Sequence, residues 1–169
     1  MAKNNTFSLR FRRRRLGLTD YKKRLALLKS GLDRVVVRKS NNYFTISHVK
    51  YNSAGDKVVK SVTSKVLADF GVKKGFSNMA SGYLIGFYFA KHLSPKGEVV
   101  LDLGLRKPAR KIMSVVRGLH EGGLKTNVNE EKLPNMELIN SRYDVSDFVK
   151  KISAGKVSKP KAVKKVVKK

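Results

Sequence analysis

RVVVRKSNNYFTISHVKYNSAGDKVVKSVT, residues 34–63, reads as three strands joined by two tight turns. Arg34 to Lys39 is short and β-branched, which fits a buried strand. Asn41-Asn42 is a hairpin turn signal. Tyr43 to Tyr51 forms the second strand, with Phe44 and Ile46 on one side. Asn52 to Asp56 turns the chain again, and Lys57 to Thr63 is the third strand. An antiparallel meander is therefore expected at the centre of the chain.

Outward from the meander the period changes. Upstream, Asp20 to Ser30 has helical spacing, with Tyr21, Leu25 and Leu28 on one face, Thr19 placed to cap the start and Gly31 to end it. Downstream, Ser64 to Phe70 is a short helical candidate. Asn78 to Leu93 is a stronger one, apolar nearly all round and therefore buried. Its Gly82 and Gly86, one turn apart, let the backbone approach closely, and the sheet is the expected neighbour. Glu98 to Leu103 follows as a fourth strand, expected to be central and parallel to one neighbour because a helical crossover precedes it. Pro108 suits the first turn of a helix running to about His120. The order βββαβα predicts an α/β fold: one domain with a mixed sheet, packed helices, and basic extensions at both ends. The expected division is residues 1–18 as an Arg-rich arm, 19–125 as the globular domain, 126–153 as an extension with at most one short helix (Val145 to Ile152), and 154–169 as a disordered Lys-rich tail.

Charge is the strongest functional signal. The 169 residues carry a formal net charge of +26. Residues 1–30 hold ten Lys/Arg against one acid, and residues 150–169 hold nine Lys and no acid, so 18 of those charges lie in two short ends. Such an excess repels itself unless an anionic partner neutralises it. Nucleic acid is the first candidate and an anionic membrane surface the second. There is no cysteine, which removes disulfides and thiolate metal sites. The N-terminus has no apolar core after its basic residues, and the most apolar run, Tyr83 to Ala90, is far short of the ~20 residues that span a bilayer. A soluble, cytoplasmic protein is expected.

The sharpest candidates lie in the arm: Arg10, Arg12, Arg13, Arg14 and Arg15, interrupted by Phe11. Guanidinium groups bind phosphate bidentately and stack on bases, which suits structured RNA. Phe11 either stacks on a base or tucks onto the domain. Thr19, Tyr21 and Arg24 continue the candidate surface into the first helix. Arg38, Lys39, Ser40, Asn41 and Asn42 form a basic-polar hairpin tip able to enter a groove. Arg106, Lys107, Arg110 and Lys111 surround a helix start, where cations are unfavourable to the helix and an anion is favourable.

Enzymatic chemistry finds little purchase. His48, His92 and His120 fall on separate elements with no cysteine near, so neither a metal site nor any cofactor is expected. A two-metal nuclease needs an acid on the first strand, and RVVVRK has none. GLRKPAR, residues 104–110, lacks the glycine pattern of a nucleotide loop.

Several segments in order carry a likeness: RRRR (12–15), TDYKKRLALLKSG (19–31), RVVVRKSN (34–41), YNSAGD (51–56), NMASGYLIG (78–86), VVLDLGL (99–105) and GLHEGGL (118–124). Together they resemble the large-subunit ribosomal protein L-eighteen family, whose eukaryotic counterpart is L-five, in its archaeal form. The likeness spans about residues 8–143 and departs at Ala109-Arg110-Lys111 and Lys125-Thr126-Asn127. It implies a non-catalytic α/β domain that binds 5S ribosomal RNA. The expected partners are that RNA, large-subunit ribosomal RNA, and neighbouring ribosomal proteins of the central protuberance, with no membrane and no small-molecule substrate. It also implies that the arm, Arg38 to Asn42 and nearby sheet residues contact RNA. The alternative is a nucleoid-type DNA-binding protein, suggested by the Lys-rich tail.

Overall fold

A computed structural model describes residues 9–72, 75–93, 95, 97–140 and 144–154. The expected tail, from residue 155 on, and the first eight residues of the arm lie outside the described residues.

The fold is α/β, built on one four-stranded mixed sheet in the order β3-β2-β1-β4. Strands β1 (Asp33–Lys39), β2 (Phe44–Lys50) and β3 (Lys57–Thr63) form the expected antiparallel meander, and β4 (Val99–Asp102) pairs with β1 in parallel. β4 is an edge strand rather than a central one. A single parallel bridge from Val99 to Thr126, and the hydrogen bond from the Val99 amide to the Lys125 carbonyl, cover part of that edge. This explains how an edge strand can be buried at all four residues.

Alternation sorts the strands onto two faces. Val35, Val37, Phe44, Ile46 and Val62 are buried on the inner face against the helices. Arg34, Val36 and Arg38 lie on the other face. Helix α3 (Met79–His92) is buried from Ala80 to Ala90, and Asn78 caps it by accepting from the Ser81 amide. It packs on β2, on α4 (Arg110–Glu121), and on the short α5 (Met136–Ile139) and α6 (Ser146–Ala154). Ile139, Val145 and Ile152 are buried in the same core, so residues 136–140 and 144–154 help cover it. Two α-helices and a 3-10 turn (Glu130–Lys132) stand where one short helix is expected.

The glycine pair in α3 faces a different neighbour from the expected sheet. A Cβ on Gly86 would lie 2.2 Å from the Val115 carbonyl oxygen of α4, and one on Gly118 would lie 2.1 Å from the Tyr83 carbonyl oxygen of α3. The glycines serve a helix–helix crossing in which each backbone sits in the other's notch. A Cβ on Gly82 would also meet Phe44 of the sheet, at 3.3 Å. The helix α4 starts at Arg110, with Ala109 as its cap residue, so Pro108 precedes the first turn.

The first helices depart furthest from expectation. α1 (Arg12–Arg15) is a single turn and α2 (Tyr21–Lys29) is nine residues long. Neither buries a residue, and Leu25 remains 57% exposed. Asp20, not Thr19, caps α2 by accepting from the Lys23 amide. Apolar spacing alone therefore does not make this helix face a core.

Candidate nucleic-acid interface

Tight side-chain ties hold α2 in place. Lys23 Nζ donates to the Gly104 carbonyl after β4 at 3.1 Å, and Arg24 Nη2 pairs with Asp56 Oδ2, just before β3, at 2.8 Å. The arm folds back on the same helix. Arg13 Nε donates to Thr19 Oγ1 at 2.7 Å, and the Arg14 guanidinium stands 6.0 Å from the centre of the Tyr21 ring. Thr19 and Tyr21, both expected on the candidate surface, thus stand against arginines of the arm. Tyr21 is 44% exposed.

These ties bring Arg13, Lys23, Arg24, Arg38 and Arg106 around one cleft of about 300 Å³, which Leu103, Leu105, Asp20 and Asp102 also line. Arg38 belongs to this cleft and not to the hairpin tip. Its Nη1 donates to the Asp102 carbonyl at 2.7 Å and its Nη2 lies 3.3 Å from Asp102 Oδ1. The tip keeps exposed Asn41 and Asn42. Ser40 spends its hydroxyl on the turn, accepting from the Tyr43 amide, while Lys39 Nζ donates to the Ser40 carbonyl. Lys107, Arg110 and Lys111 are exposed beside the cleft, at a helix start with no acid in its first turn. Arg10 and Arg12 to Arg15 are all exposed, and Phe11, 89% exposed, does not tuck onto the domain.

Arg24 and Arg38 of the cleft are joined through three residues that the sequence did not single out as site residues: Arg34, Asp56 and Asp102. The β1–β4 register sets Asp102 opposite Val36, between Arg34 and Arg38 on the same face. Arg34 is 2% exposed and pairs with two acids: Nη2 with Asp56 Oδ2 at 2.5 Å, and Nη1 with Asp102 Oδ2 at 3.2 Å. The result is an alternating chain, Arg24–Asp56–Arg34–Asp102–Arg38. Burial pushes the Asp56 carboxyl up, but the hydrogen bonds and charges of Arg24 and Arg34 outweigh it and hold it below the usual carboxylate range. The usable signal was the i, i+4 spacing of Arg34 and Arg38 in a strand, which puts both on one face.

The acids do not assemble for catalysis. β1 begins one residue earlier than expected, at Asp33, so the first strand does carry an acid. Asp33 accepts from His48 Nε2 at 2.8 Å, with Lys50 Nζ 3.5 Å away, and by alternation it lies on the face opposite Asp102. His92 bonds the Ile152 carbonyl and His120 bonds Thr126. Among the described residues no group of His, Asp and Glu could hold a metal ion, and no helix is long and apolar enough to cross a membrane.

Comparison with known proteins agrees with this basic, non-catalytic surface. A "Large ribosomal subunit protein uL18" from Korarchaeum cryptofilum is 35% identical over 157 residues, covering 90% of this chain and 80% of the relative. One of the same name from Methanobrevibacter smithii is 33% identical over 163 residues, covering 94% and 84%. The family described as "Ribosomal large subunit proteins 60S L5, and 50S L18" matches residues 5–99, which include most of the arm, α2, the meander and α3, and the chain belongs to that family.

Proposed function

We propose that this chain binds 5S ribosomal RNA and helps anchor it to large-subunit ribosomal RNA in the central protuberance, beside neighbouring ribosomal proteins. The coarser role comes with the family: a structural constituent of the large ribosomal subunit, and not an enzyme. The observation that carries the finer reading is the convergence of arm and domain cations on one cleft, with Arg13 tied to Thr19 beside Arg24, Arg38 and Arg106. Five cations against two acids, Asp20 and Asp102, around one cleft suit a sugar–phosphate backbone. The exposed Arg10 to Arg15 run, Tyr21 and the Asn41-Asn42 tip extend the surface on either side. Lys39, Ser40, Lys107, Arg110 and Lys111 complete the proposed contact set.

The deciding experiment is equilibrium binding to 5S ribosomal RNA, with transfer RNA and duplex DNA as competitors, across a salt series. Salt weakens the phosphate attraction shared by all three and leaves shape recognition standing. A 5S preference that persists at high salt is the expected result. Equal affinities that collapse together would replace this reading with a general nucleic-acid binder of the nucleoid type.

A further inference from the structure

The cleft's arginines are not free to move as surface arginines usually are. Arg38 has a 45% exposed side chain, yet its guanidinium is held by the Asp102 carboxylate, the Asp102 carbonyl and the Val37 carbonyl. Gly104 adds to the hold: it sits at φ +63°, its amide donates to Asp102 Oδ1 at 2.7 Å, and a Cβ there would meet the Arg38 guanidinium carbon at 2.9 Å. Arg24 is held from the other side by Asp56. Buried Arg34 links the two acids, so neither carboxylate can turn without disturbing the other. Acids inside a surface that attracts phosphate weaken its mean charge. Their presence there needs a reason beyond charge.

We propose that Asp56 and Asp102 are positioning residues, which fix the guanidinium planes of Arg24 and Arg38 so that the cleft seats one RNA phosphodiester in a defined orientation. The phosphate accepts from guanidinium edges that are already oriented, and little rotamer entropy is lost on binding. Long basic side chains elsewhere on the surface supply attraction, and this pair supplies register. The inference rests on the RNA-binding reading above.

The test compares Asp102→Asn, Arg38→Lys and their combination with the parent chain, measuring affinity for 5S ribosomal RNA at fixed salt. Asp102→Asn raises the net charge by one, so a purely electrostatic site binds RNA equally well or better. Positioning requires the opposite: about a tenfold loss, the scale of one misplaced arginine. Arg38→Lys keeps the charge, loses the fork, and should cost a similar factor. The double variant should then be no worse than either single one, because both changes break the same interaction. Parental or tighter binding by Asp102→Asn, or losses that multiply in the double variant, would overturn the proposal. If Asp102→Asn does not fold, Asp56→Asn is judged by the same sign against the parent. A parent chain with no 5S preference would instead remove the RNA-binding reading itself.

Discussion

Asp56 accepts from Arg24 and Arg34 on a single oxygen, and the two guanidinium groups hold its carboxyl below the ordinary range. A carboxylate with a lowered folded value stabilises the fold above its unfolded value, ~3.9, and that contribution fades as pH falls through the folded value. Asp56→Asn should therefore lower stability at pH 7, and the gap between variant and parent should close on acidification below about pH 4. Urea titrations at neutral and acidic pH measure both. A gap independent of pH would show that the ion pairs contribute through shape alone. Buried Arg34 raises the stakes, because its Nε and Asp56 Oδ1 already lack partners among the described residues.

At the level of elements, the crossing of α3 and α4 is the tightest joint in the core. Gly86 and Gly118 sit where any side chain meets the opposing backbone within 2.2 Å. Backbone cannot rotate aside as a side chain can, so Gly86→Ala must push the helices apart. Overpacking of this kind costs ~1–3 kcal/mol, and this position belongs at the upper end despite the better helix propensity of alanine. A lowered denaturant midpoint with an unchanged slope would confirm it. In sequence, the Gly82–Gly86 spacing announced a close approach but not its partner. The partner depends on where α4 returns after β4, which no local pattern encodes.

Across the whole molecule, the charge is arranged in levels. The inner face of the sheet is apolar apart from the Asp33–His48 pair, the outer face holds a paired charge chain, and the arginines of the arm are exposed outside both. Replacing Arg12, Arg13, Arg14 and Arg15 together with alanine should weaken binding to every RNA. It should also flatten the log–log salt dependence by ~0.7–0.9 for each phosphate that is no longer neutralised. None of the four is buried, so the thermal midpoint should barely move. A large drop in that midpoint would mean that α1 supports the fold.

Residue patterns by themselves determined the meander, the buried helix, the parallel fourth strand and the basic character of the surface. These follow from periodicity and charge, which act over a few neighbouring residues. Tertiary structure decided the rest. It put β4 at the edge, left α2 without a buried face, moved Arg38 from the hairpin tip to the cleft, and joined Asp56, Arg34 and Asp102. Each of these depends on contacts between segments up to 81 residues apart in the chain. Such contacts are set by the packing of the whole core, which no single segment contains.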